Sequence, residues 1–183
     1  MNRFLWPLIA FALLMVVMVV GLNNADRKGI IRSPLIGQPA PVFDAPDLLD
    51  PSARVTSAQL LGGWHLVNVW GTWCVECRAE HATLLAISRE GKMPVIGLDW
   101  KDSDEDAKVW LQQLGNPYQH VGADRDGRIA IDWGVYGAPE SFLVDPSGTV
   151  RQKRTGAMSE ELWSRCFLPY LSEPQPKIPA DCT

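Results

Sequence analysis

Two cysteines separated by two residues, in Trp73-Cys74-Val75-Glu76-Cys77, are the first place in this chain where side chains could do chemistry. They stand where an apolar run with β-branched residues, His65 to Trp70 (HLVNVW), gives way to a helical pattern. One helical turn brings two sulfurs so spaced within disulfide reach and leaves the first at the helix N-terminus. Free N–H groups and the helix macrodipole stabilise a thiolate there. The spacing therefore predicts Cys74 as an exposed nucleophile and Cys77 as the resolving thiol that breaks a mixed disulfide. The competing reading is half of a zinc site. Zinc needs four ligands, Cys166 and Cys182 are too far apart to supply a second pair, and His81 alone does not complete one. The redox group is then the Cys74–Cys77 disulfide itself, with no metal or other cofactor expected.

The elements that must hold this pair follow from the apolar pattern. His65 to Trp70 reads as a buried strand and Cys74 to Ser88 as a helix with Leu84, Leu85 and Ile87 on its apolar side. Pro94 to Trp100 reads as a second strand. Ser103 to Leu114 is a helix that Ser103 can cap, with Asp106 giving a capping-box-like start. Ser141 to Val144 and Thr149 to Lys153 are strands around the turn Asp145-Pro146-Ser147-Gly148. A last helix, Ser159 to Leu168, turns Leu162, Trp163, Cys166 and Phe167 inward and ends at Pro169. The order β-α-β-α-β-β-α predicts an α/β fold, a mixed central sheet flanked by helices, and the CxxC at a strand-to-helix junction makes it thioredoxin-like. In such folds a cis-proline before a strand faces the cysteine pair, and its neighbouring backbone pairs with the substrate. The segment Gly134 to Glu140 (GVYGAPE) is so placed, which makes Tyr136, Ala138 and Pro139, together with Trp73 beside Cys74, the candidate substrate-binding residues.

From about Gly37 to Leu171 the chain resembles the DsbE/CcmG type of thiol:disulfide interchange protein, membrane-anchored and thioredoxin-like, used in cytochrome c maturation. The matching pieces are Asn68-Val69-Trp70-Gly71-Thr72-Trp73-Cys74, Cys77-Arg78-Ala79-Glu80-His81, Lys101-Asp102, Leu114-Gly115-Asn116-Pro117-Tyr118 and GVYGAPE. The resemblance implies a periplasmic reductase that keeps the haem-binding cysteines of apocytochrome c reduced. It implies apocytochrome c or other maturation thiol proteins as partners, and a membrane electron donor of the DsbD or CcdA kind. The chain departs from the family at Val75, where proline is frequent, and at Glu76. A negative charge between the cysteines disfavours a thiolate and pushes the pair toward reductant behaviour. Ordinary thioredoxins bury an acid six positions before the first cysteine, where this chain has Asn68. With the resemblance, Glu80 and Glu140 become the replacement acids, for proton transfer or pKa tuning. As a bare residue type, the glutamate at Glu80 is more often a solvated helix residue.

The rest of the chain bounds this reading. In 183 residues, 46% hydrophobic and 21% charged with a net charge of −4, neither disorder nor the basic footprint of a nucleic-acid binder is present. Phe4 to Leu22 carries no charge and lacks a good cleavage site, which predicts one uncleaved N-terminal transmembrane helix, a signal-anchor contacting inner-membrane lipid. Arg3 before it and Arg27, Lys28 and Arg32 after it would by positive-inside counting put the domain in the cytoplasm. The redox argument places it in the periplasm instead. The expected organisation is an anchor over 1–22, a linker over 23–37, the thioredoxin-like domain over 38–171 and a Pro-rich tail over 172–183. Asp102 to Asp106 (DSDED) reads as a solvated loop and helix start, Asp124 to Gly127 as a turn rather than a calcium loop, and His65 and His120 as structural. Cys166 and Cys182 are expected to form a structural disulfide on compartment and parity, against a buried free Cys166. The other functional readings are a general periplasmic oxidase or isomerase and a redox-inactive client-binding module. A peroxiredoxin-like peroxidase is disfavoured, since no PxxxTxxC-like pattern surrounds Cys74.

Overall fold

Residues 5–25, 33–173 and 175–182 are described by the structure, a computed structural model. The chain divides into an N-terminal unit and a larger unit that begins at Arg32. The first contains a single helix, α1 (Leu5–Ala25). Among the described residues no helix is long and apolar enough to cross a membrane. Polar Asn23 and Asn24 fill the last turn. The expected transmembrane signal-anchor, and with it the single-pass inner-membrane location and the lipid contact, is corrected on this ground. Arg3, Arg27, Lys28 and Arg32, which entered the orientation argument, lie outside the described residues, as does Pro174 of the tail.

The larger unit is built on a five-stranded sheet in the order β5-β4-β3-β6-β7. Its strands are β3 (His65–Trp70), β4 (Val95–Trp100), β5 (His120–Asp124), β6 (Glu140–Val144) and β7 (Val150–Thr155). β3, β4 and β5 run parallel, while β6 is antiparallel to both β3 and β7. All six residues of β3 are buried, as a central strand covered on both faces requires. Alternation then sorts the side chains. Leu66, Trp70 and Leu143 face a core shared with α2 (Val75–Glu90), α3 (Asp104–Leu114) and the C-terminal helical segment. Val67, Val69, Phe142 and Val144 face a second core with Phe43, Ala130 and Trp133. A short hairpin, β1 (Asp44–Pro46) and β2 (Arg54–Thr56), and the helix α4 (Arg128–Asp132) complete the unit.

The mixed sheet flanked by helices agrees with the sequence expectation, but β5, α4 and the hairpin are additions to it. β5 is short and broken by Gly122, so its apolar signal is weak. The glycine is needed: a Cβ there would lie 3.1 Å from Ala45 Cβ, where the hairpin crosses. Asp124 to Gly127 is the expected turn, and Asp124 accepts from Ile129 N at 3.1 Å and Ala130 N at 2.9 Å to start α4. The last helix is not one regular α-helix. A single α turn, α5 (Glu160–Leu162), runs into a π segment over Trp163–Phe167 and a 3-10 turn over Leu168–Leu171. Pro169 has no N–H to give to the carbonyl one turn back, and its ring crowds that carbonyl. The wider π turn upstream accommodates it. The tail returns to the domain rather than trailing from it: Cys182 is fully buried and bonded to Cys166. Gln152 Nε2 of β7 donates to the Cys182 carbonyl at 3.2 Å.

Candidate active site

The cysteine pair sits where β3 ends and α2 begins. Gly71 permits the bend, since a Cβ there would meet the Trp73 ring 2.5 Å away. Trp73 Nε1 donates to the Trp100 carbonyl at the end of β4 at 3.1 Å. Its ring meets that of Trp100 edge-on, with centroids 5.6 Å apart. Cys74 has extended backbone and is the N-cap of α2, its sulfur accepting from Cys77 N at 3.0 Å. The two are joined as a disulfide, with Cα atoms 5.3 Å apart. The helix N-terminus thus bears on the first sulfur, as the spacing predicted. Cys74 is not freely exposed, however. Only 5% of it is accessible, and it belongs to the core cluster against which Ala138 packs.

The Gly134 to Glu140 segment supplies that neighbour. The Ala138–Pro139 peptide bond is cis, and Pro139 O accepts from Gly156 N at 2.9 Å. Tyr136 stands out at the rim, 77% exposed. Trp73 and Val75, which flank Cys74 in sequence, are exposed apolar side chains, as is Tyr136. Glu76 is an exposed residue in the first turn of α2.

The two candidate acids have different surroundings. Glu80, one turn after Cys77 on α2, is 1% exposed. Its Oε1 accepts from Asn68 Nδ2 at 2.7 Å and its Oε2 from Met158 N at 2.7 Å. Asn68 Oδ1 in turn accepts from Tyr118 Oη at 2.9 Å, and Asn68 Nδ2 also donates to Ser141 Oγ at 3.0 Å. Burial pushes the Glu80 carboxyl up to about 7, against the pull of its two donors and with a small push from Glu76. The carboxyl therefore lies against Asn68 inside the core. Glu140 is equally buried but pairs in register with Val69, so it belongs to the opposite face of the sheet. There Lys153 Nζ lies 2.7 Å from Oε2 as an ion pair and donates to the Gly134 carbonyl at 2.9 Å. Lys153 also sits over the Tyr136 ring at 4.8 Å. Burial pushes the Glu140 carboxyl up and Lys153 pulls it back. Glu80 thus lies one helical turn beyond Cys77 on α2, while Glu140 Oε1 accepts from Tyr136 N of the proline loop at 3.4 Å. Lys153 escaped sequence reading because a basic residue in a C-terminal strand carries no local signal. Asp102, read as solvated, is half-buried, and its carboxylate accepts from both the amide and the hydroxyl of Thr72.

A disulfide spanning the first turn of a helix at the end of a central strand, beside a cis-proline loop, places the chain in the class of thioredoxin-like thiol:disulfide oxidoreductases, with Cys74–Cys77 as the redox group. Comparison with known proteins narrows the class. The AhpC/TSA family model matches residues 36–153. The thiol:disulfide interchange protein DsbE of Allochromatium vinosum is 44% identical over 174 residues, 95% of each chain. DsbE of Xylella fastidiosa is 42% identical over 166 residues, 91% of this chain and 82% of that one. The chain belongs to the AhpC/TSA family and to the DsbE-type thiol:disulfide interchange proteins, the second as the sequence motifs implied. Among solved structures, a DsbE-type protein from Chlorobium tepidum superposes with a TM-score of 0.58 at 25% identity, over 69% of this chain and 89% of that one. A secreted Mycobacterium tuberculosis disulfide oxidoreductase shares the fold, with a TM-score of 0.59 at 22% identity over 67% and 91%.

Proposed function

We propose that this thiol:disulfide oxidoreductase acts in the periplasm as a reductase of the haem-binding cysteines of apocytochrome c. The observation that carries the reading is the Cys74 sulfur, joined to Cys77 and accepting from the Cys77 amide at a helix N-terminus. In the reduced protein Cys74 is the thiolate that attacks a client disulfide. One client sulfur leaves with a proton and the other forms a mixed disulfide with Cys74. Cys77 then loses its proton, attacks the Cys74 sulfur and releases the second client thiol. The client gains two electrons and two protons, and the protein is left with the Cys74–Cys77 disulfide. A dithiol donor of the DsbD or CcdA kind reverses that last change. Glu80, poised near neutrality one turn from Cys77, takes the proton of the resolving thiol. Trp73, Tyr136, Ala138 and Pro139 hold the client backbone, and Glu140 with Lys153 keeps that loop in place. Because Cys74 is so little exposed, an extended chain can present a sulfur to it more readily than a folded one can.

Trapping tests the assignment. In Cys77→Ser the mixed disulfide on Cys74 cannot be resolved and should persist, and mass spectrometry of the adducts should return proteins with CxxCH haem sites. Adducts containing only proteins without such sites would remove the cytochrome c assignment and leave a general reductase. A reduction potential near −120 mV, rather than below about −200 mV, would instead identify an oxidase.

A further inference from the structure

β7 ends at Thr155, and the residues that follow, Gly156, Ala157 and Met158, pass from the sheet to α2. Both ends of this short segment are tied through their backbone amides. Gly156 N donates to the Pro139 carbonyl of the candidate client loop at 2.9 Å. Met158 N donates to Glu80 Oε2 on α2 at 2.7 Å. Gly156 has φ of 88°, left-handed backbone that a side chain disfavours. The Met158 side chain is 2% exposed and packs in the core that contains Cys74 and Cys77. From its other side the Glu80 carboxyl is held by the sheet: Asn68 Nδ2 of β3 donates to Oε1 at 2.7 Å and to Ser141 Oγ of β6 at 3.0 Å. A connected run of hydrogen bonds therefore leads from the sheet through Asn68 and Glu80 to the Met158 amide. Two residues back along the chain, the Gly156 amide holds the Pro139 carbonyl. The chemistry above uses Glu80 only as a proton acceptor and gives this segment no part.

We propose that Glu80 is also a positioning residue: it anchors the Gly156–Met158 strap, and the strap sets the Pro139 backbone that receives the client. The inference rests on the reading that the Ala138–Pro139 backbone meets the client, and not on which protein the client is. A carboxylate that accepts from a backbone amide makes a stronger hydrogen bond than a neutral acceptor does. This one is buried, so water does not stand ready to replace it. Without the acceptor the Met158 N–H is left unpaired in the core, and the strap relieves that cost by shifting. A shifted strap draws the Gly156 N–H away from the Pro139 carbonyl. A client aligned by backbone pairing at Pro139 then loses its register with Cys74. A small disulfide, which needs no such pairing, reaches the sulfur as before.

The test is made in the full chain carrying Cys77→Ser, where the resolving thiol and its proton play no part. The rate of mixed-disulfide formation at Cys74 is measured with a disulfide in an unstructured peptide and with a small aromatic disulfide. The ratio of the two rates cancels any change in the Cys74 thiolate itself. Glu80→Leu, which offers no acceptor, should lower the peptide-to-small ratio roughly tenfold, the scale of one lost charged hydrogen bond. Glu80→Gln should preserve it. The amide oxygen can still accept from Met158 N while Asn68 turns over, because the Asn68 partners Tyr118 and Ser141 are hydroxyls that accept as well as donate. In the oxidised chain with both cysteines present, hydrogen exchange at the Gly156 amide should quicken about tenfold in Glu80→Leu and stay slow in Glu80→Gln. Gly156→Ala is an independent route that serves even if Glu80→Leu does not fold. A Cβ there has room, with Glu76 Oε2 its nearest neighbour at 3.8 Å, so the change strains only the backbone and should lower the ratio severalfold. An unchanged ratio in either variant that folds overturns the proposal. So does an equal fall in Glu80→Leu and Glu80→Gln, or Gly156 exchange that ignores Glu80→Leu. Pro139→Ala tells which reading has failed: if it lowers the ratio, client contact at Pro139 stands and the strap alone is wrong, and if it does not, that contact falls too.

Discussion

Glu80 shows how one side chain can be drawn two ways. Both of its oxygens accept from donors, Asn68 Nδ2 and Met158 N, which favours the carboxylate, while burial at 1% exposure favours the neutral acid. Burial prevails, and the carboxyl titrates near 7 instead of in the usual glutamate range. The sign for stability follows. A carboxyl whose folded pKa is raised binds its proton more tightly in the native state, so its contribution is full below the unfolded value, near 4.5, and is lost as pH rises to about 7. Glu80→Gln removes this dependence. Relative to the variant, the unsubstituted protein should lose about 3 kcal/mol of unfolding free energy between pH 4.5 and 7.5, by urea denaturation. A constant difference across that range would show that the group does not titrate in the fold. The same substitution should slow the resolving step near neutral pH while leaving mixed-disulfide formation largely alone, read by single-turnover kinetics at several pH values.

Among the elements, the C-terminal helical segment offers the sharpest test. The Cys166–Cys182 bond closes a loop with a sequence separation of 16, worth ~3 kcal/mol in the chain-entropy account. The double substitution Cys166→Ser with Cys182→Ser should lower unfolding free energy by about that amount. It should leave the reaction of Cys74 with small disulfides unaffected, since neither serine touches the site. An unchanged urea midpoint would mean the bond constrains nothing. β3, α2, β4 and α3 were legible in the sequence because their apolar periods are long and undisturbed. β5 was not, because Gly122 accommodates the hairpin rather than advertising a strand. The last helix misled because the cost at Pro169 is spread upstream into a π turn that no local pattern announces. The cysteine pair and its cap were readable because their chemistry is local, three residues apart. Glu80 became a candidate only through resemblance to a family, since a glutamate on a helix normally signals solvent. Asp102 was dismissed because its partner Thr72 lies 30 residues away in sequence, and only parallel pairing of β3 with β4 brings them together.

On the scale of the whole molecule, the larger unit contains both cores, the redox pair and the hydrogen-bond network around Glu80. The chain beginning at Ser33 should therefore unfold at the same temperature as the full protein and exchange disulfides with a model peptide at the same rate. Calorimetry and stopped-flow fluorescence would show this. A drop in the unfolding temperature would mean that the first 32 residues contribute to the larger unit's stability.

Both sulfurs of the Cys166–Cys182 bond are sealed, at 1% and 0% exposure. The bond cannot be made by the finished protein's own chemistry, since the redox pair reaches only sulfurs presented at its rim. Its sulfurs are reachable only while the C-terminal segment is open. The protein thus holds two disulfides of opposite kinds, one at the head of a helix for exchange and one sealed in the core. Once folded, it shields the second from the electrons it handles.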